Sequence, residues 1–573
     1  MPGLLVRGKA PALCSMRTRS LPLLFLISGL LLLSACTFPP TQGKTRPTTT
    51  ATPTYEFPAV NANYVYDQLY YMSMTFQQRE SGFDNSSEHN GHKAFAQYWV
   101  QEMQRNLQGF HPQVSYDTFT TFGRSTGGWI GRAGDSPSYN VEITIPGALH
   151  PEQVVIVSTH YDGMHVSQGS AFDDTSGCAI LLGEAKALGD YWRTHQLYPA
   201  RTLRFVLFDA EEQGVLGSYH YANETVNGDI ATKSIVAMIN EEQSGFSYPV
   251  RFLGKASNPL IPLHIRNING RQIFFGDLIK AALPTVADEM RMMGYTSVTY
   301  HGDQGQDVSQ PVFTSDQISK MALTPDYLGG SDDQAFDDAN VPALQFIAGD
   351  EGIYDDKAGV FHTPNIPNNE MYPFDSHLDT IQLMNGYANG ETSKSQALVL
   401  ALAFQTMLQA WMFNQPALVG SVVLDQLPAG PLAAISDLGS LRPGVAIKLA
   451  AQGAFDPHDP QAPQNTLRYH WAFGDGAQAD GAQAQHTYAA AGSYTLTLTV
   501  QDAHGTRQMS RKLSVTNNPP TYDNIYLSLV QRELDEGHEL AQGDLHHANF
   551  QMPLITQNGD GLTADDHIPG HNG

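Results

Sequence analysis

Three short apolar runs, each closed by a knot of polar residues, constrain this chain more than any other feature. They are Val154 to Ser158, Leu203 to Phe208 and Ser234 to Ile239. The knots that follow contain His160 and Asp162, then Asp209-Ala210-Glu211-Glu212, then Asn240-Glu241-Glu242. A continuous run such as Val154-Val155-Ile156-Val157 suits a strand buried on both faces, because a half-exposed strand alternates. Between the runs, Ile180, Leu181, Leu182, Ala185 and Leu188 form one apolar stripe of a helix opened by Asp173, and Val215 to Ala222 also reads as helical. Strand, helix, strand, helix, strand at this spacing predicts a mixed β-sheet sandwiched by helices. Ligands of such sheets gather beyond the carboxyl ends of the strands, where His160, Glu211, Glu212 and Glu242 all fall.

The flanks extend this α/β pattern. Tyr64 to Gln78 and Lys93 to Leu107 read as helices around a loop from Glu80 to His92, and Val114 to Phe122 and Tyr139 to Ile145 as strands. Beyond the third knot, Asp277 to Met293 predicts a helix, His301 to Gln310 a polar loop, Val341 to Phe346 a strand and Ser395 to Trp411 a closing helix. After about residue 430 the period changes to two, in Val445, Ile447, Leu449 and again in Tyr494, Leu496, Leu498, Val500, which marks a β-domain. The expected organisation is a segment 1–36, a Thr/Pro-rich tether 37–57, an α/β domain 58–416, a linker 417–430, a β-domain 431–516 and a largely disordered tail 517–573. The tail histidines His546 and His547 lack the fixed spacing that closes a metal site.

Charge and cysteine content narrow the setting. The formal charge is −25, and the first 36 residues hold four basic and no acidic side chains, leaving −29 on the remainder. Nucleic acid is therefore not an expected partner. Arg7, Lys9, Arg17 and Arg19 precede the apolar run Leu21 to Leu33, the layout of an export signal. Leu33-Ser34-Ala35-Cys36 resembles the lipobox of bacterial lipoproteins, which implies cleavage before Cys36, lipidation of its thiol and a membrane-anchored protein in the envelope or at the cell surface. The only other cysteines are Cys14 and Cys178, so no disulfide is expected within the folded part.

The residue types at the strand ends point to metal chemistry. His160, Asp173, Glu212, Glu242 and the more distant His362 provide two imidazoles and three carboxylates, a set that suits zinc. A carboxylate shared between two ions would hold them about 3.5–4 Å apart, the spacing of two-metal hydrolases. Glu211, beside a ligand without being one, can take the proton of a metal-held water and hand it to a leaving amine. Asp162, two residues from His160, can orient the imidazole.

In order along the chain, STHYDG, FDDTSG, FDAEEQGVLGS, MINEEQSG, GGSDDQAF and FHTPN resemble the zinc aminopeptidases of metallopeptidase family 28, relatives of glutamate carboxypeptidase and the transferrin receptor, over roughly residues 58–415. The resemblance implies the zinc exopeptidase fold and two zinc ions. It also implies Asp173 as the bridge, Glu212 and His362 completing one site, His160 and Glu242 completing the other, Glu211 as general base, and a cis peptide between Asp173 and Asp174. Two positions depart from the family pattern. Glu242 stands where Asp is usual, and Asp333 stands where His often follows Ser-Asp. Glu242 is preferred to Glu241 by alignment with Met238-Ile239-Asn240, and strand alternation turns only one of the two inward.

A second resemblance lies in Trp471-Ala472-Phe473-Gly474-Asp475-Gly476, His486-Thr487-Tyr488 and Val500-Gln501-Asp502, which look like a PKD domain, an immunoglobulin-like sandwich. There Trp471 and Phe473 would be core and Gly474-Asp475-Gly476 a turn. Such a module serves as a spacer or binds protein or polysaccharide. The combined expectation is an exported dizinc aminopeptidase acting on peptides. The alternatives are a glutaminyl cyclase or carboxypeptidase on the same fold, and a non-enzymatic binding lipoprotein.

Overall fold

The computed structural model describes residues 56–84, 91–120, 136–164, 167, 169–225, 234–245, 264–266, 273–301, 307–321, 323–324, 331–347, 353–355, 360–362, 377–389, 393–435, 438, 441–459 and 464–518. The expected signal with its lipidation site Cys36, residues 37–55 of the expected tether and residues 519–573 of the expected tail lie outside these residues.

Eight strands form one sheet: β1 (Gln113–Phe119), β2 (Ser138–Ile145), β3 (His150–His160), β4 (Arg201–Phe208), β5 (Ile235–Glu242), β6 (His264–Arg266), β7 (Leu323–Thr324) and β8 (Ala343–Ile347). Their spatial order is β1-β2-β4-β3-β5-β8-β6-β7. The centre β4-β3-β5-β8 is parallel, β2 runs antiparallel to β4 and β1 antiparallel to β2, so the sheet is mixed. His160 pairs in register with Phe208, and Ser158 with Asn240, which lines up the three polar knots along one edge.

Both faces of the centre are covered, as the unbroken apolar runs require. Val155 and Val157, with Leu203, Phe205, Leu207, Ala237 and Ile239, join the core shared with helices α1 (Ala62–Thr75), α2 (Gly91–Asn106), α3 (Ser176–Thr194), α4 (Ile273–Met292) and α5 (Gln396–Phe413). On the other face Phe208 meets Tyr221 and Phe336 with ring centroids 5.6 and 6.0 Å apart. Helix α5 is apolar nearly all round because nearly all of it is buried, and Ser395 caps it by accepting from Leu398 N at 3.3 Å.

Two expectations change. The third run does not end before Asn240-Glu241-Glu242; β5 carries these residues as strand, because β8 pairs with them through Ile347↔Glu242. The polar stretch expected as a loop from His301 instead contributes to a hairpin, Ser297–His301 with Asp307–Pro311 antiparallel, whose alternation buries Val298.

The β-domain contains a three-stranded sheet β9-β10-β13 and a four-stranded sheet β12-β11-β14-β15, built from β9 (Leu432–Ile435), β10 (Ala446–Phe455), β11 (Arg468–Ala472), β12 (Gln478–Asp480), β13 (Gln483–Thr487), β14 (Gly492–Gln501) and β15 (Thr506–Val515). Trp471 is fully buried and its indole N–H donates to Gly481 O at 2.9 Å, while Phe473 is buried beside it. Gly474 and Gly476 take φ of +84° and +98°, the left-handed region this turn requires. The two domains share a seam: Leu432 and Phe455 belong to the main core, and Phe455 stacks on His111 at 4.1 Å. Trp471→Ala removes the largest side chain of the β-domain core, and chemical denaturation should show a loss of about 3–5 kcal/mol.

Candidate metal centre

His160 is the last residue of β3, and the pleat that buries Ser158 against Asn240 also carries its ring inward. Its Nε2 lies 2.8 Å from Asp173 Oδ1 and 3.7 Å from Glu242 Oε1, and its Nδ1 lies 3.5 Å from Asp162 Oδ1. His160, Asp173 and Glu212 offer ligand atoms all within 4.8 Å of one another, and so do His160, Asp174 and Glu242. All five side chains are buried. The structure thus brings His160, Asp162, Asp173, Glu211, Glu212 and Glu242 into one place. His362 ends a short strand, Val360–His362, paired with Ile353–Asp355; its side chain lies outside the described residues.

Each carboxylate is aimed by a specific local device. Asp162 accepts from Glu211 N at 3.1 Å through Oδ1 and from Glu212 N at 3.3 Å through Oδ2, so one side chain orients the imidazole and ties down the glutamate turn. Asp173 and Asp174 lie in a single irregular turn, Ala171–Thr175, before α3, and the peptide joining them is cis. Asp379 clamps that turn, accepting from Phe172 N at 2.9 Å and Asp173 N at 3.1 Å. Asp174 accepts from Thr159 Oγ1, from Ser176 Oγ at 3.1 Å and from Gly177 N at 2.9 Å; a Cβ on Gly177 would run into Asp174 and Thr159. Asp173 Oδ2 accepts from Gln243 Nε2 at 3.0 Å. On β5, alternation sends Glu242 toward His160 and Ser331, whose Oγ donates to Glu242 Oε2 at 2.6 Å. Glu241 points the other way and accepts from Gln405 Nε2 of α5 at 2.6 Å.

Several members of this constellation carry no motif signal. Arg79, 1% exposed, donates from Nε to Tyr161 O at 2.7 Å and from its terminal nitrogens to Gly169 O at 3.0 Å and Thr175 Oγ1 at 2.9 Å. It thereby joins the His160 segment to the Asp173 segment. Asp379 is separated from its partners by more than 200 residues. Only an isolated arginine before a loop and an isolated aspartate mark them in the sequence, and neither is informative alone.

Among the described residues the site is short of positive charge. Burial raises Asp174 to about 8 and Glu242 and Asp332 to about 7, with neighbouring carboxylates adding to the rise and His160 opposing it. Burial also lifts Glu211 well above the ordinary carboxyl range, again against the pull of His160. Burial would lower the His160 pKa, yet Glu242, Asp162 and Asp173 raise it well above its usual value. Clustered, desolvated oxygen donors beside one imidazole fit a divalent cation: a dication offsets the repulsion that otherwise forces these groups to hold protons. Nitrogen plus carboxylate donors in this number suit zinc.

A mixed sheet with such a donor set at its strand ends is the ground plan of a metal-dependent hydrolase. Residues 140–394 match the model of peptidase family M28, and residues 442–516 match the PKD domain. The chain therefore carries a family M28 metallopeptidase domain followed by a PKD domain. It is 36% identical to mouse carboxypeptidase Q over 166 residues, 26% of this chain and 33% of that protein. It is 34% identical to mouse aminopeptidase NAALADL1 over 111 residues, 19% of this chain and 14% of that one. The chain thus aligns with about a third or less of the length of these curated relatives. Among solved structures, a zinc aminopeptidase from Bacillus subtilis is 13% identical at a TM-score of 0.39, covering 62% of this chain and 94% of that chain.

Metal removal has a pH signature. Carboxyls with folded pKa values raised to about 7 and 8 bind more protons folded than unfolded, so their contribution is fully present below the unfolded carboxyl pKa and is lost as pH rises through 7 to 8. Chelated protein should therefore melt several degrees lower at about pH 8 than at about pH 6, and added zinc should restore the loss, in thermal scans with and without metal.

Proposed function

We propose that this chain is an exported dizinc metallopeptidase that removes N-terminal residues from peptides, tethered to a membrane through lipid on Cys36. The observation that carries the peptidase reading is the placement of Glu211: buried, adjacent to Glu212, and fixed by its own N–H to the Asp162 carboxylate that also faces His160. His160, Asp173, Glu212 and Glu242 would hold the metal, and family resemblance adds His362 to the set. Zinc bound there supplies a Lewis acid that polarises the scissile carbonyl and acidifies a water.

The residues of the chain do the rest. Glu211, its carboxyl pKa lifted by burial, takes a proton from the attacking water and returns it to the departing amine. Asp162 keeps Nδ1 of His160 facing a carboxylate, so Nε2 is directed into the cluster. Gln243 and Asp379 hold Asp173 from its side chain and its backbone.

The acidic lining favours a substrate with a free α-amine. A peptide carboxylate needs a cation, and among the described residues Arg79, a buried cation against this site, spends donors on Tyr161, Gly169 and Thr175. Removal of C-terminal residues is the second reading, supported by the name of the carboxypeptidase Q relatives. The PKD domain is proposed as a spacer or as a contact for protein or polysaccharide.

Glu211→Gln should lower kcat on aminoacyl anilides about 10²–10⁴-fold with zinc per chain unchanged. Unimpaired hydrolysis by that variant would refute the mechanism, and cleavage of N-blocked peptides from the carboxyl end would replace the aminopeptidase assignment with the second reading.

A further inference from the structure

His92 lies in the first turn of α2, 68 residues before His160 in the chain, and its ring is completely buried. Nδ1 is 2.9 Å from Asp84 Oδ1 and Nε2 is 2.8 Å from Asp209 Oδ1. One face stacks on Tyr161, with centroids 4.6 Å apart and planes 20° from parallel, and Tyr139 meets the ring edge-on at 5.3 Å. A ring with a carboxylate oxygen at each nitrogen donates from both, which is the imidazolium form. Burial alone would lower its pKa, but Asp209 and Asp84 together outweigh burial and raise it to about 10.

The groups that His92 grips belong to the metal centre's two supporting segments. Tyr161 sits between His160 and Asp162. Asp209 opens the turn that carries Glu211 and Glu212, and its carboxylate also accepts from Ala210 N at 2.9 Å and Tyr139 N at 2.8 Å, while its own N–H donates to Asn140 Oδ1 at 3.0 Å. That turn is not self-sustaining. Ala210 and Val215 take φ of +59° and +51°, a region that side chains with a Cβ, and β-branched ones above all, adopt only when surroundings impose it.

We propose that His92, wedged between Asp84 and Asp209, is a positioning residue for hydrolysis: it fixes the turn Asp209–Glu212 and so the aim of Glu211 and Glu212 at the metal centre. The inference rests on the reading of Glu211 as general base and adds the residue that holds it in place from outside the site. A buried ion pair that served only the fold would alter melting and leave kcat of the folded, zinc-loaded fraction unchanged.

The test uses the full chain with His92→Gln and, as a variant that keeps the ring, Asp84→Asn. Three quantities are read: kcat and KM on an aminoacyl anilide, zinc per chain, and amide hydrogen exchange in peptides covering residues 205–216. In His92→Gln, kcat should fall at least about tenfold with KM within about threefold and zinc content unchanged, and exchange in the turn should accelerate about tenfold while α5 is unaffected. Asp84→Asn should give a smaller loss of the same kind, and it decides the matter by the same criteria if His92→Gln does not fold. A folded, zinc-loaded variant with kcat within about twofold of wild type and unchanged exchange in the turn would overturn the proposal. Should the wild type hydrolyse no peptide, the Glu211 reading fails separately; exchange then decides whether His92 fixes the turn, faster exchange supporting it and unchanged exchange overturning it.

Discussion

Carboxylates gathered out of water around the imidazole of His160 dominate this molecule. Asp162, Asp173, Asp174, Glu211, Glu212 and Glu242 are buried at the carboxyl ends of β3, β4 and β5 or on the turns that follow them, and Asp332, at the start of the short helix Asp333–Asp338, is buried as well. Desolvation alone makes such a cluster unfavourable, as the raised pKa values of Asp174, Glu242 and Asp332 record. The surrounding fold keeps it assembled: a sheet rigid enough to bring three strand ends into register, and helices that cover both faces so the strands cannot separate. The site's affinity for a cation and the need for a large scaffold have the same cause.

The scaffold restrains the cluster with donors drawn from all over the chain. Arg79 bonds the backbone of two site segments at once, Asp379 accepts from two successive amides of the Asp173 turn, and Asp162 accepts from two successive amides of the glutamate turn. These bonds hold groups that repel one another, so their loss leaves a polar atom unpaired and a charge misdirected as well. The β-domain adds to the same body through Leu432 and Phe455, which are packed into the main core.

The legible parts of the fold were those whose local pattern is strong. Unbroken apolar runs gave β3, β4 and β5 as buried strands, the stripe from Ile180 to Leu188 gave α3, and period-two alternation gave the strands of the β-domain. Motifs placed His160, Asp173, Glu211, Glu212 and Glu242 because these residues sit beside strand ends that the pattern itself locates. The boundary of β5 is not legible in the sequence, since Asn240-Glu241-Glu242 is polar and only pairing with β8 keeps it extended. The hairpin at Ser297–Pro311 was hidden for the same reason: its strands are held by each other and by burial of Val298.

The sequence by itself determined that buried strands would end in metal-type ligands, because burial and ligand chemistry are written in residue types and their period. It could not determine what aims those ligands. Arg79, His92 and Asp379 are single polar residues with no periodicity, and the site segments they bond lie about 80 to 200 residues away in the chain. Hydrogen bonds of that range are short in space and arbitrary in sequence, so only the folded chain decides which distant donors and acceptors hold the ligands in place, as Gln405 of α5 does for Glu241.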